Sequence, residues 1–404
     1  MATVRILGLA ALLVVSSAQA QQHDHAAMMA AAPSSCKEAT LACADKVTPF
    51  FAADSSLWVA WSANGRVAVQ HSKDQGHTFD APMFVNPQAE KLDAGADSRP
   101  QIVVDGAGKI VVAYTLAVGA DFAGKVMIAR SSADRKDFDP PKPLTKNTAS
   151  QRFVAFALDP SGEVFATWID KRNLVAAAMA KQKYEGAALA FAWSNAEKDF
   201  AVTRIAQDNT CECCRIGVAF AGPHKPVVMW RNMYPGGVRD HAVMTFGDSK
   251  PGPVYRVAVD DWKIDACPHQ GPSLSVGAGG TYHASWFTDG RARQGLFYAR
   301  STDGGRSFST PMAVGDNTRQ PTRPFVLANG GSVWMAWKEF DGEESVVNIM
   351  QSRDDGVTWS KPKVHARTTD ASDHPLLTAK NADVYLSWAT LKEGYRLMTV
   401  GNTP

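Results

Sequence analysis

Four arginines and one histidine recur at equivalent places in the chain, each close to the start of a short apolar run. They are Arg99, Arg152, Arg215, Arg323 and His374. Guanidinium groups bind carboxylate or phosphate through two parallel hydrogen bonds. If these positions converge in space, their like charges repel one another unless an anion offsets them. The pattern predicts a binding site for an anionic ligand, with arginines that only fix neighbouring structural units as the alternative.

Four of the six cysteines lie close to this set in the sequence, together with one further histidine. The cluster comprises Cys211, Cys213, Cys214, Cys267 and His269. Its first three cysteines directly precede Arg215. Thiolates with a histidine would form a site for a soft metal such as Cu(I) or Zn. The alternative is disulfides that join loop to loop, with Cys36 and Cys43 forming another.

The N-terminal residues predict export and supply a second indication of metal binding. Residues 1–20 contain Arg5, an apolar core and Ala18-Gln-Ala20, which is typical of a signal peptide and too short to span a membrane. Residues 21–35 are rich in His and Met, and we expect them to form a flexible arm. Cleavage after Ala20 would leave His23 third, an arrangement that binds Cu(II). We expect a periplasmic or extracellular protein without a membrane span, with copper as its candidate cofactor.

The elements that must position these residues follow from a long internal repeat. An aromatic residue ends a short β-rich run in each unit, at Trp61, Tyr114, Trp168, Trp230, Trp286, Trp337 and Trp388. The runs are β-branched and aromatic, as strands are. Their spacing of about 50 to 60 residues fits the four strands and turns of one propeller blade. The sequence therefore predicts an all-β propeller of four-stranded blades.

Seven such runs favour seven blades, with six as the alternative. The whole of residues 36–404 is then one propeller domain. The last unit stops after its third strand, so its outer strand would have to come from residues 37–41 near the N-terminus. That arrangement would close the ring and remove free sheet edges.

Three copies of the pattern Ser-x-Asp-x-Gly-x-(Ser/Thr)-aromatic occupy residues 72–79, 301–308 and 352–359. The Asp can accept backbone N–H bonds in a tight turn, and the Gly allows a positive φ. The pattern resembles the Asp-box (BNR) repeat of the sialidase-like β-propellers. We expect these turns to be structural and to lie on the face opposite the arginines.

The resemblance implies a sialidase-type site, in which three arginines hold the substrate carboxylate beside a Tyr–Glu nucleophile pair and an Asp acid/base. The chain lacks the aromatic-Arg-Ile-Pro motif of that family. Only Asp170, Asp289 and Tyr395 are catalytic candidates, and no motif places a Tyr–Glu pair. If the protein is an enzyme, the resemblance implies a sialidase-like glycoside hydrolase.

The net charge of +2 and the absence of long Lys/Arg runs exclude a general nucleic-acid binder. Three hypotheses remain. The first is recognition of an anionic small molecule or glycan, with a carboxylate group, by the arginines. The second is copper handling in the periplasm, and the third is a scaffold that binds a protein partner.

We expect no efficient release of sialic acid from a fluorogenic sialoside, because no nucleophilic Tyr–Glu pair accompanies the arginines. Fluorescence release by the purified protein measures this directly. Robust turnover that Arg99→Ala abolishes would restore the complete sialidase interpretation.

Overall fold

The computed structural model describes residues 36–93, 95, 97–119, 123–194, 199–247, 250–266 and 268–402. The predicted signal peptide (1–20) and arm (21–35) lie outside these residues. Within the described part of the chain, no helix is long and apolar enough to cross a membrane.

Seven antiparallel sheets form, one from each predicted repeat. Each sheet is a blade whose strands follow one another in sequence, and six of the blades have four strands. The all-β propeller is confirmed with seven blades, and the six-blade alternative is wrong.

Blades 1 to 3 occupy the first half of the domain. Blade 1 contains β1 Lys46–Phe51, β2 Leu57–Ala63, β3 Arg66–Ser72 and β4 Met83–Phe84. Blade 2 contains β5 Gln101–Val104, β6 Ile110–Ala117, β7 Gly124–Arg130 and β8 Lys142–Pro143. Blade 3 contains β9 Gln151–Leu158, β10 Val164–Asp170, β11 Ala187–Ser194 and β12 Arg204–Thr210, with helix α1 Arg172–Met179 between its second and third strands.

Blades 4 to 7 complete the ring. Blade 4 contains β13 Gly217–Phe220, β14 Pro226–Arg231, β15 His241–Thr245 and β16 Val254–Arg256. Blade 5 contains β17 Ser273–Val276, β18 Tyr282–Asp289, β19 Gln294–Ser301 and β20 Met312–Val314. Blade 6 contains β21 Thr322–Asn329, β22 Ser332–Phe340, β23 Ser345–Ser352 and β24 Lys363–Thr368. Blade 7 contains β25 Leu376–Lys380, β26 Asp383–Thr390 and β27 Gly394–Asn402, and two single-turn 3-10 helices span Leu41–Cys43 and Asn317–Arg319.

The second strand of every blade is buried on both faces because neighbouring blades cover both sides of its sheet. These strands therefore appear as continuous apolar runs rather than alternating ones. Six of them end in a tryptophan that is at most 1% exposed, and the equivalent residue of blade 2 is Tyr114. A polar residue two positions on accepts the indole N–H in three blades, through Asp170, Asn232 and Glu339.

The N-terminal segment covers blade 7 without adding a strand to it. Residues 37–41 form no strand, so the predicted outer strand is wrong, and a 3-10 turn follows at Leu41–Cys43. Cys36 and Cys43 form a disulfide with their Cα atoms 5.5 Å apart. An extended chain of seven residues would span roughly 23 to 25 Å, so this closed loop cannot be a strand. Leu41 instead packs in the cluster that contains Tyr395.

The three Asp-box turns share one hydrogen-bond pattern, shown here by the copy in blade 5. The Ser301 hydroxyl donates to Asp303 and accepts the Gly305 N–H at 2.9 Å. Asp303 accepts both the backbone N–H and the hydroxyl of Ser307. These bonds lower the pKa of Asp303 to about 2. The stability that they contribute is present above the usual carboxyl pKa and is lost as the pH falls towards 2.

Blade 2 has a divergent turn at the same position, residues 131–138, in which the acidic residue lies one place later than in the three copies. The Ser132 hydroxyl donates to Asp134 at 2.8 Å and accepts the Lys136 N–H at 3.3 Å. Arg135 stands in place of the glycine and takes a φ of 56°. Because Ala133 stands at the Asp position, the repeat pattern does not detect this turn in the sequence.

We predict that Ser301→Ala lowers the free energy of unfolding by about 1–3 kcal/mol, because the Gly305 N–H loses a buried acceptor. Thr302→Ala, at the exposed neighbouring position, is the matched control and should change it by less than about 0.5 kcal/mol. Urea unfolding measures both. Equal effects of the two variants would show that the turn contributes no specific stability.

Candidate functional site

The predicted arginines lie at or just before the innermost strands, where the blades converge on the axis. Arg99 precedes β5, Arg152 is in β9, Arg215 precedes β13 and Arg323 is in β21. Each side chain is no more than 17% exposed. The structure therefore places them at equivalent positions of different blades, as the repeat predicts.

Two of these arginines form bidentate ion pairs with carboxylates of other segments. Arg99 donates to both oxygens of Asp373, at 3.1 and 2.8 Å, and to the carbonyl oxygen of Val47. Arg152 donates to both oxygens of Asp93, at 2.6 and 2.9 Å. The Arg99 contacts join blade 2 to blade 7 and to blade 1, which lies between them, so this arginine links blades whatever else it binds.

The other two arginines share a single carboxylate, Asp97. Arg323 donates to it at 3.0 Å, and Arg215 approaches it at 3.5 Å. Arg215 also donates to the carbonyl oxygens of Pro272 and Pro324. Burial lowers the pKa of Arg215 to about 10, and repulsion by Arg323 contributes. Two buried guanidinium groups therefore depend on one counter-charge.

A glycine makes room for Arg215 in blade 5. Gly271 occupies the position that corresponds to the arginines of other blades, and a Cβ there would collide with the Cγ and backbone of Arg215. The Gly271 N–H also donates to Asp97 at 2.8 Å. The interruption of the arginine pattern at this blade thus allows close packing around Asp97.

His374 is the most informative member of the predicted set. Its Nδ1 is 3.1 Å from Arg215 Nη1 and accepts that hydrogen, so Nε2 carries the ring proton. Burial and the nearby Arg323 and Arg99 hold the pKa of His374 well below its usual range. His374 is 5% exposed, and in the described part of the chain its Nε2 has no hydrogen-bond partner. The ring is therefore a neutral, buried donor without an acceptor.

Lys338, at the end of β22, adds a further cation beside the arginines. Its Nζ donates to the carbonyl oxygen and the hydroxyl of Ser372, at 3.3 and 3.1 Å. Burial lowers the pKa of Lys338 to about 8, and repulsion by Arg323 adds to the effect. Among the described residues, no carboxylate forms a hydrogen bond or ion pair with this ammonium group.

We refer to these residues together as the axial site, which consists of Arg99, Arg215, Arg323, Lys338, His374, Asp97 and Asp373. It contains four cations and two carboxylates, because His374 is neutral, and so carries two excess positive charges. Sequence reasoning missed both carboxylates. The signal available was their spacing, since Asp97 lies two residues before Arg99 and Asp373 directly precedes His374.

A cavity of about 220 Å³ runs from the axial site along the inner strands. Arg99, Arg215, His374 and Asp97 line one part of it, and all seven blades contribute to the remaining wall. This volume is below the range of about 300–1,000 Å³ that is usual for drug-sized ligands. It can hold an acid group or one sugar unit.

The three catalytic candidates do not come together, and none of them lines this cavity. Asp170 is fully buried and accepts from the Trp168 indole and from Arg172. Asp289 is exposed at the end of β18. Tyr395 lies on β27, the outermost strand of blade 7, where burial raises the pKa of its hydroxyl.

The cysteines before Arg215 form a compact cluster between blades 3 and 4. The sulfur atoms of Cys211, Cys213 and Cys214 all lie within 4.8 Å of one another, and those of Cys211 and Cys213 are 3.4 Å apart. Each residue is at most 3% exposed. Hydrogen bonds from the other two thiols lower the pKa of Cys211, and the charges of Arg231 and Arg239 act in the same direction. We call these three residues the thiol cluster.

The structure does not place the remaining predicted metal ligands in the thiol cluster. His269 is buried beside Phe153 and is within electrostatic range of Cys214, but it does not join the three sulfurs. Cys267 and His23 lie outside the described residues. His241, at the start of β15, is 1% exposed and packs against Trp286.

A second, larger groove of about 590 Å³ lies between blades 6 and 7 on the Asp-box side. The exposed cations Arg353 and Lys363 line it, together with the indoles of Trp334 and Trp359. We call it the peripheral groove. It contains cationic and aromatic groups that could also contact a sugar acid.

We predict that Asp373→Ala lowers the free energy of unfolding by about 3–5 kcal/mol, because it leaves the buried Arg99 guanidinium without its counter-charge. Glu344→Ala is the matched control, since it breaks an ion pair with Arg367, which is 62% exposed. Its cost should stay below about 1 kcal/mol. Denaturant titration measures both, and equal losses would contradict a structural role of the axial pair.

Comparisons with known proteins establish the fold and no closer relationship. No family model and no curated protein matches the chain. Similar solved structures include a lectin from Burkholderia pseudomallei, with 11% identity, a TM-score of 0.61, and coverage of 89% of this chain and 99% of the lectin. Another is a polysaccharide lyase, an ulvan lyase bound to GlcA(1-4)Rha3S, with 12% identity, a TM-score of 0.54, and coverage of 90% and 96%. A further polysaccharide lyase, Uly1, has 9% identity, a TM-score of 0.53, and covers 88% of each chain. At these identities the chain shares their propeller fold, and membership of the sialidase-like family stays a prediction.

Proposed function

We propose that this protein is exported and binds the acid group of an anionic glycan at the axial site. The observation that carries the proposal is the Nε2–H of His374, a residue that lines the cavity, for which the described part of the chain supplies no acceptor. A buried donor without an acceptor costs about 1–3 kcal/mol. A ligand carboxylate or sulfate oxygen would supply the missing acceptor.

The charge of the axial site supports the same class of ligand. Four cations face two carboxylates, and Lys338 has only neutral hydrogen-bond partners. Repulsion among these cations is strong in a poorly solvated site. An anion in the cavity would offset the excess and raise the pKa of Lys338 towards its usual value.

Binding is favoured over hydrolysis at this site. Asp97 is the only acidic residue that lines the cavity, and two arginines and two backbone N–H groups already contact it. A carboxylate held in this way is a poor nucleophile or proton donor. The catalytic candidates lie elsewhere, so the residues of the axial site suit ligand binding rather than hydrolysis.

The fold neighbours guide the choice of probe. One of them is described as a lectin, and another as a lyase bound to a saccharide that contains GlcA. The probe is therefore an oligosaccharide that contains glucuronate, and the matched control ligand is the same oligosaccharide with its carboxyl groups reduced to alcohols. We expect only the acidic form to bind, with an affinity that falls at high salt.

We predict that Lys338→Met weakens binding of the acidic probe by about tenfold, which corresponds to 1.4 kcal/mol. The wild-type affinity should be constant below pH 8 and fall above it, because Lys338 loses its proton near that pH. Lys338→Met should lack this step, and Lys338→Arg should lack it while keeping the affinity. Isothermal titration calorimetry between pH 6.5 and 9.5 measures all three proteins.

Variants of the peripheral groove distinguish the two sites. Arg353→Ala and Lys363→Ala should leave the affinity for the probe unchanged. If they abolish binding while Lys338→Met has no effect, the acid group binds in the peripheral groove and the axial proposal is wrong. Equal binding of the carboxyl-reduced oligosaccharide would remove the anionic part of the proposal altogether.

A further inference from the structure

The thiol cluster is built like a metal site rather than like ordinary core. Its three sulfurs come from a segment of four residues, Cys211-Glu-Cys213-Cys214, which curls so that all three converge. Metal–sulfur bonds of about 2.3 Å place three ligands of one ion about 4 Å apart. The sulfurs of Cys211 and Cys213 are 3.4 Å apart and all three sulfurs lie within 4.8 Å of one another, which is compatible with that spacing.

The surroundings would keep such a site dry and fixed. The cysteines are part of the apolar core between blades 3 and 4, which includes Phe153, Leu189 and Trp230. The Cys211 backbone N–H donates to the carbonyl oxygen of Arg231 at 2.9 Å, which anchors the start of the segment. Burial and anchoring of the ligand loop limit exchange with solvent and fix the ligand geometry.

The nearest charges indicate which ion fits. Arg231 and Arg239 both act on Cys211, and Arg239 Nη1 lies 3.7 Å from its sulfur. Three thiolates with a monovalent ion carry a charge of −2, and these guanidinium groups would offset part of it, although Arg239 also pairs with Asp265 at 3.8 Å. Zn²⁺ prefers four ligands, and the described cluster offers three.

We propose that Cys211, Cys213 and Cys214 bind one Cu(I) ion as three thiolates. Thiolate sulfur is a soft ligand that selects Cu(I). Each thiol that is protonated beforehand releases its proton to solvent as its Cu–S bond forms, and the copper keeps its oxidation state. A disulfide could join only two of the three sulfurs, whereas one ion uses them all.

This inference is independent of the proposed glycan binding. The thiol cluster and the axial site are adjacent through the Cys214–Arg215 peptide bond, but they use different side chains. Loss of copper binding would leave the anion proposal intact, and the reverse also holds.

The experiment uses the full mature chain, reduced and kept anaerobic, with His23→Ala to remove any site on the arm. Cu(I) alone is the probe, in competition with a chromogenic Cu(I) chelator. We expect one tightly bound ion and an X-ray absorption spectrum with three sulfur neighbours at about 2.3 Å. Cys213→Ser should lower the affinity by about 100-fold or more, beyond the loss usual for outer-shell residues.

Matched controls test whether the described trio is the site. Removal of the other described cysteines, by Cys36→Ser with Cys43→Ser, should leave the Cu(I) affinity unchanged, and so should Cys267→Ser. If Cys213→Ser does not fold, the number of sulfur neighbours in the wild-type X-ray absorption spectrum tests the proposal. Two sulfur neighbours, a nitrogen or oxygen ligand, a fourth sulfur, or a disulfide within the trio in anaerobically purified protein would each overturn the proposal.

Discussion

The axis of this propeller depends on one carboxylate that serves two arginines. Asp97 lies in the segment before blade 2 and contacts Arg215 of blade 4 and Arg323 of blade 6. It also accepts backbone N–H bonds from Arg215 and Gly271. Each blade is a separate sheet, and among the described residues no continuous β-ladder joins one blade to the next. The ion pairs at the axis, which link blades 2, 4 and 6, and the packing between sheets therefore hold the blades together.

Because two arginines share Asp97, the arginines of the axial site can stabilise the fold and still attract an anionic ligand. Arg99 and Arg152 have carboxylate partners of their own, and they match the interpretation in which arginines fix neighbouring units. Arg215, Arg323 and Lys338 together have one carboxylate partner, Asp97. The Nε2–H of the buried His374 has no acceptor among the described residues. Carboxylate partners thus neutralise Arg99 and Arg152. The excess positive charge beside the cavity comes from Arg215, Arg323 and Lys338.

The sequence predicts the blades well because each repeat contains its own signal, an aromatic residue at the end of a buried strand. The sequence predicts poorly how the N-terminal segment meets blade 7. The N-terminal segment was expected to pair as a strand, but the Cys36–Cys43 disulfide closes it into a turn. Helix α1 was also missed, because the eight residues Arg172–Met179 are fewer than the roughly 11 over which helical periodicity can be recognised. At the axial site the cations were found by their recurrence, whereas Asp97 and Asp373 come from loops without a repeat.

The position of the thiol cluster follows from the same architecture. The segment from β12 to β13 must travel from the outer edge of blade 3 to the axis, and its last residues reach Asp97 through Arg215. The Arg215 guanidinium and backbone are fixed by contacts to Pro272, Pro324 and Asp97, so the residues just before it have a fixed end point. Three sulfurs on a loop that is anchored at both ends, by Arg231 and by Arg215, lose little further freedom when they bind an ion. Ligands that are ordered before the metal arrives bind it more tightly than ligands on a free loop, so the axial ion pairs also organise the neighbouring thiols.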